Sequence, residues 1–303
     1  MEKINRFLRA GALLLLFIGC VFSGGCGRVT PKYHYELSDE LKLSISNADE
    51  VIEILRNALR DHNYSITIQY RAGDGYMDEV EFLASELMKY AMEETDNPKE
   101  GDYIRYQCGG YTLDYGHEET GDDFEYYMTI YPKYYTDSEE EEAVDERISE
   151  ILGGLAFSDE TADYEKISAI YDFVCSNVSY DTIHKSSLYH LKSTAYAALE
   201  RKTAGCQGYS VLLYRLLREA GINCRVVTGN AEHEGETELH AWNLVQLGNV
   251  WYYLDATWDS EDGGREYFLR GSSGLTDHVP DENHSGEDWE KKYDISGEDY
   301  FFD

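Results

Sequence analysis

The chain has 303 residues, 42% of them hydrophobic, which suits one large folded domain or two ordinary ones and excludes a wholly disordered polymer. Its 26 Lys and Arg face 59 Asp and Glu, a formal net charge of −33. Such a chain is repelled by phosphate backbones and anionic bilayer surfaces, so nucleic acid is excluded as a partner.

The first 28 residues read as a targeting segment. Lys3, Arg6 and Arg9 make a basic start, and AGALLLLFIG is an apolar stretch too short for a stable span. The SGGC that follows at 23–26 resembles the lipobox of bacterial lipoproteins, which implies lipidation of Cys26 and a mature N-terminus there. Cys20, in FIGC, competes; Cys26 is preferred because the mature chain then opens on polar GRVTPK and not on Val21 and Phe22. A plain cleaved signal peptide and an uncleaved anchor are the alternatives. The expected location is the outer face of the cell membrane through a lipid anchor, or secretion. Four cysteines remain in the body, Cys108, Cys175, Cys206 and Cys224, and no CxxC pair or Cys/His spacing suggests structural zinc. No metal or other cofactor is expected.

Residues 27–40 read as a polar tether, and 41–145 as a small α+β domain. NADEVIEILRNALRDH places Val51, Ile52, Leu55, Ala58 and Leu59 on one helical face, with Asn47 and Glu50 spaced as a capping box. YSITIQY (64–70) alternates as a strand, and 77–94 is again amphipathic and helical. DYIRYQCGGYTLDY (102–115) and FEYYMTIYPKYY (124–135) read as two strands, a hairpin around GHEETGDD. The charge run at 137–152 merges into a helix with a solvated face, and a domain boundary is expected between 140 and 158. In YEKISAIYDFVCSNVSY (164–180), Ile167, Ile170, Tyr171 and Val174 form one stripe, with Cys175 as a core thiol.

AGCQGYS (204–210) sets Cys206 at the head of SVLLYRLLREAG, a run suited to a buried helix that Gly221 stops. A thiol at a helix N-terminus sits at the positive end of the macrodipole beside free amides, which favours the thiolate and could hold an oxyanion. Gly205 and Gly208 would let a substrate backbone come close. Alone, this pattern also fits a buried structural cysteine.

Downstream, LHAWNLVQLGNVWYYLDATWD (239–259) reads as two strands about a Gly248-Asn249 turn. Pairing Leu247 with Val250 sets His240 opposite Thr257 and Trp242 opposite Asp255, all on one face, so Asp255 is the diagonal neighbour of His240. A carboxylate on one imidazole nitrogen would orient the ring and leave the other for a thiol. Nucleophile, base and orienting acid then come in the order Cys, His, Asp; a purely structural His–Asp pair is the other reading.

Together, GCQGYSVLLYRLLREAGI, HAWNLVQLGNVWYYLDATWD and the upstream YEKISAIYDFVCSNVSYD closely resemble the transglutaminase-like superfamily in its bacterial secreted branch, over about residues 160–270. The resemblance implies a papain-like core at 155–303, in which a helix carrying the cysteine packs on an antiparallel sheet. It implies Cys206 as nucleophile, His240 as general base and acid, and Asp255 as its orienting residue. No tryptophan precedes Cys206, so the oxyanion donors considered are the backbone amide of Cys206 and the side chain of Gln207, with Gly208 and Tyr180 bordering the cleft. Trp242, Asn243 and Trp258 belong to the motif mainly as packing. SEDGG after Trp258 lacks a calcium-loop pattern and reads as a solvated loop. The expected activity is acyl transfer at a peptide or protein amide bond, hydrolysis being preferred to cross-linking. A surface or cell-wall binding module that keeps the fold without turnover is the alternative.

Overall fold

The computed structural model describes residues 47–301 apart from 73–79, 121–122, 185, 187–188 and 234. The targeting segment, Cys20, Cys26 and the tether at 27–40 lie outside the described residues, among which no helix is long and apolar enough to cross a membrane.

Helix α1 (Ala48–Arg60) buries Val51, Ile52, Leu55, Ala58 and Leu59, the face its periodicity predicts. Asn47 is its N-cap residue but makes no side-chain capping bond, so the expected capping box does not form. Strand β1 (Ile66–Ala72) and helix α2 (Val80–Ala91) follow. The stretch expected to be one strand from 102 divides: Asp102–Gln107 is helix α3, and only from Cys108 does the chain extend as β2 (Cys108–Thr120). Gly101, at φ +65°, turns the chain into α3, where an ordinary residue would be strained and its Cβ would strike the Glu94 carboxyl. Periodicity missed this turn because α3 is fixed by a remote ion pair. With β3 (Asp123–Tyr134) the strands form an antiparallel sheet of order β1-β3-β2, backed by α1 and α2 around Ile66, Ile68, Tyr126, Met128 and Ile130.

The acidic run forms helix α4 (Ser138–Leu155), here with a genuine capping box between Asp137 and Glu140. Its solvated face has an apolar reverse, for Val144, Ile148 and Ile151 join a larger core. Helix α5 (Asp163–Asn177) adds Ile167, Ile170, Tyr171 and Val174. Short strands β4 (Ser179–Tyr180) and β5 (Thr203–Ala204) pair in parallel and lead into helix α6 (Cys206–Glu219). Leu212, Leu213, Leu216 and Leu217 of α6 are fully buried, each contributing about 1.5–3 kcal/mol by removal from water. Gly221, at φ +81°, carries the chain out of the helix.

Against α6 lies a second antiparallel sheet of order β8-β7-β6-β9, from β6 (Cys224–His233), β7 (Glu236–Leu247), β8 (Val250–Leu254) and β9 (His278–Pro280). Leu247 pairs with Val250 in the expected register, but β8 stops at Leu254. Asp255 caps helix α7 (Ala256–Asp262), so Thr257, Trp258 and the SED residues expected in a strand and loop are helical. Helix α8 (Glu287–Lys292) completes the fold; near it Trp289, Tyr293 and Ile295 pack with Trp251 and Leu244. The fold is α+β, with helix and antiparallel sheet in the papain-like arrangement.

A buried ionic cluster joins the two cores. Asp102, fully buried on α3, accepts two bonds from the Arg225 guanidinium on β6 (2.7 and 2.9 Å) and one from the backbone of Val226 (2.8 Å). Glu94 lies alongside, accepting from the Asp102 backbone (2.8 Å) and from the Tyr214 hydroxyl of α6 (2.9 Å). Burial and the neighbouring Asp102 carboxylate push the Glu94 carboxyl from 4.5 up to about 7. A carboxyl raised in the folded state stabilises the fold only while it stays protonated, so its contribution fades as pH rises from 4.5 through about 7. Glu94→Gln, which mimics the protonated acid, should therefore flatten the decline in melting temperature across that window. Parallel slopes in variant and parent would contradict this.

Candidate active site

Cys206 is the first residue of α6, half-buried, after the extended N-cap residue Gly205. The 3₁₀ turn at His190–Ser193 holds this entry from outside: Gly205 N donates to Lys192 O (2.9 Å). Gly208 serves that contact and not a substrate. It is buried, and a Cβ there would lie 2.7 Å from Lys192 O and 2.8 Å from the Ala204 side chain. Gly205, by contrast, has nothing nearer than 3.9 Å to such a Cβ. Gln207 is likewise committed, since its Nε2 donates to Tyr106 O (2.6 Å) and, at greater length, to Ser193 O (3.5 Å). Its amide therefore ties α6 to the end of α3 and is not free to hold an oxyanion. Tyr180, beside Ala204 in the β4–β5 pair, is half-buried; burial, followed by the nearby Cys206 sulfur, pushes its phenol up. The remaining cysteines are free thiols, of which burial raises Cys175 to about 12.

His240 stands on β7 opposite Gly229 of β6 and is almost wholly buried. A Cβ at Gly229 would meet Val279 O at 2.1 Å, so only glycine lets β9 cross so close behind the histidine. The imidazole stacks on Trp258 (4.9 Å between centroids) and on Trp242 (6.1 Å), two rings that fix its plane and favour its cationic form. Trp242 is fully buried scaffold, and Asn243 donates to Ser210 O (2.9 Å), tying the sheet to α6.

Asp255 is 1% exposed and satisfied on both oxygens. Oδ1 accepts from the backbone of Thr257 (2.9 Å) and Trp258 (3.4 Å), the N-cap role that short polar side chains fill at a helix start. Oδ2 lies 2.8 Å from His240 Nε2 and 3.2 Å from His278 Nε2. The backbone is held as well, Asp255 N donating to Tyr267 O (3.1 Å) and the Tyr171 hydroxyl donating to Asp255 O (2.8 Å). The His240–Asp255 contact thus arises because the strand ends and the helix cap turns the carboxylate inward, where the sequence suggested a diagonal pair on a continuing ladder.

Burial alone would lower the His240 pKa; the Asp255 carboxylate and then the hydrogen bond and charge of Cys206 raise it from 6.5 to about 10. Burial would raise Asp255, but His240, and after it His278, hold it well below the usual carboxylate range. With Nε2 committed to Asp255, Nδ1 is the imidazole nitrogen open to the Cys206 thiol. The structure thus brings Cys206, His240 and Asp255 together, with Tyr180 near the Cys206 sulfur, and turns Gln207, Gly208 and Trp242 to packing. His278, the last residue of the tail YFLRGSSGLTDH (267–278), was not picked out as a site residue, since nothing in its spacing ties it to Asp255. His240, Asp255 and His278 offer three possible metal-ligand atoms within 4.8 Å of one another. Their spacings of 2.8 and 3.2 Å are those of hydrogen bonds, and this donor set fits proton sharing.

A helix whose first residue is a cysteine thus packs on an antiparallel sheet that bears a carboxylate-bound histidine. A family model for the transglutaminase-like superfamily matches residues 155–256. The chain is 29% identical to human kyphoscoliosis peptidase over 126 residues, 39% of this chain and 18% of that protein. It is 30% identical to the mouse protein over 108 residues, 33% and 16% of the two lengths. The match therefore spans less than a fifth of these relatives. A crystal structure of a TGase aligns at 21% identity and a TM-score of 0.35, covering 48% of this chain and 45% of that one.

The raised value of His240 means that this pair's contribution to stability is complete below pH 6.5 and is lost as pH rises through about 10. Asp255→Asn keeps a capping oxygen but removes the charge. The His240 titration, followed by its ring proton resonance, should then fall by several units toward 6.5; a midpoint still near 10 would contradict the assigned cause.

Proposed function

We propose that the protein is an acyl-transfer enzyme acting on peptide or protein amide bonds, with Cys206 as nucleophile, His240 as general base and acid, and Asp255 orienting His240. The observation that carries this reading is one imidazole bound at Nε2 by a buried carboxylate, with a half-buried thiol at a helix N-terminus close enough to help raise the imidazole's pKa. The sulfur attacks the carbonyl carbon, forming an S–C bond, and the oxyanion develops beside the first amides of α6. The C–N bond then breaks as His240 passes its Nδ1 proton to the leaving amine, which leaves a thioester. Water, deprotonated by His240, splits the thioester to a free acid and restores the thiol; an amine in its place forms a new amide. Hydrolysis is the preferred course, in line with the peptidase name of the curated relatives. The same chemistry would serve cross-linking if a lysine-type amine resolved the thioester.

The proposal includes export and a lipid anchor at Cys26, on the strength of the basic start, apolar stretch and SGGC. Metabolic labelling with a fatty acid should mark the parent chain and be lost in Cys26→Ser; retained label in that variant, and loss in Cys20→Ser, would move the anchor to Cys20.

For the activity, the full chain should be incubated with a peptide library and the acyl group on Cys206 identified by mass. A covalent adduct is expected in the parent and none in Cys206→Ala. If the parent stays unmodified, and its Cys206 alkylates with iodoacetamide only as a free thiol does, at a midpoint near about 8.5, the non-catalytic binding module becomes the better account.

A further inference from the structure

His278 makes a second claim on Asp255. It opens β9, pairs with Ala231 of β6 and is buried. Its ring packs against Trp258 (4.4 Å between centroids) and Trp242 (4.9 Å), the same two indoles that frame His240. Its Nε2 reaches the Asp255 oxygen that already serves His240, and its Nδ1 lies 2.8 Å from Asp277 Oδ1. The Tyr267 hydroxyl donates to the other Asp277 oxygen (2.8 Å). A continuous chain of hydrogen-bond contacts thus runs from Tyr267 through Asp277, His278 and Asp255 to His240. The titratable groups set against His278 among the described residues are Asp255 at the start of α7, Asp277 on its own side, His240 on β7, and Tyr267 through Asp277.

Two donors on one carboxylate oxygen divide its charge between them. That division matters because His240 has two opposed tasks. It must hold a proton while the sulfur attacks, and it must release that proton to the leaving amine. An imidazole held too firmly by its carboxylate does the first well and the second poorly, since proton transfer is fastest when donor and operating pH are matched.

We infer that His278 is a positioning residue that fixes the Asp255 carboxylate from behind and, by sharing its Oδ2, limits how tightly that carboxylate holds the His240 imidazolium. The inference rests on the proposed roles of Cys206, His240 and Asp255. It differs from a merely structural role in the sign of one measurement. If His278 only propped Asp255 in place, removing it would loosen the carboxylate and lower the titration of His240. If it shares the oxygen, removing it gives Asp255 wholly to His240 and raises that titration.

The test uses the full chain labelled with ¹⁵N-histidine, with the His240 ring followed by NMR across pH in the parent, His278→Leu, His278→Gln and Asp277→Asn. His278→Leu should raise the His240 midpoint by about half a pH unit or more. His278→Gln keeps a donor near the position of Nε2 and should return the midpoint close to the parent. Asp277→Asn weakens the group behind His278 and should shift the midpoint upward by less; it alters a partly exposed residue, so it remains informative if His278→Leu does not fold. Unmoved or lowered midpoints in His278→Leu and Asp277→Asn would overturn the inference. The parent separates the two readings. An acylated parent Cys206 with unmoved variants would remove only the role of His278, whereas a parent in which Cys206 forms no acyl adduct would remove the triad reading and this inference with it.

Discussion

The carboxylate of Asp255 is the point on which the site depends. A buried charge is costly unless its hydrogen bonds are complete, and here both oxygens are filled, one by the first amides of a helix and the other by two histidines. One residue therefore ends β8, starts α7 and fixes the plane of His240. Its two functions cannot be separated, because the cap that starts the helix is also what turns Oδ2 toward the imidazole. The indoles of Trp242 and Trp258 then pack against both histidines that share that oxygen.

Much of this was legible in the sequence where local rules and tertiary demands agree. The apolar faces of α1, α5 and α6 follow from periodicity because each packs on a single core. The Leu247–Val250 register follows from a turn chemistry with few alternatives. Cys206, His240 and Asp255 could be picked out together, yet the reason they meet could not. Thr257 and Trp258 read as part of a strand that in fact ends at Leu254, since a motif read as alternation does not reveal a helix cap inside it.

The other misreadings at the site and at α3 come from contact between residues far apart in the chain. Asp102–Gln107 alternates well enough to pass for a strand, but Arg225, more than a hundred residues on, holds Asp102 in a helix. Gly208 looked like room for a substrate and is occupied by Lys192 O. Gln207 looked like an oxyanion donor and is bound to Tyr106 O. His278 carried no periodic signal, because a single histidine near a short strand has no period, and only the crossing of β9 behind Gly229 brings it to Asp255.

Arg225 lies within the family-matched segment, 155–256, while both acids that neutralise it, Asp102 and Glu94, lie outside. The segment is therefore not an interchangeable cassette. Cut out at its family limits, it would carry a guanidinium shaped for burial with no counter-charge, and α6 would lose the Tyr106 carbonyl that Gln207 grips beside Cys206. A charge altered on one side strands its partner on the other.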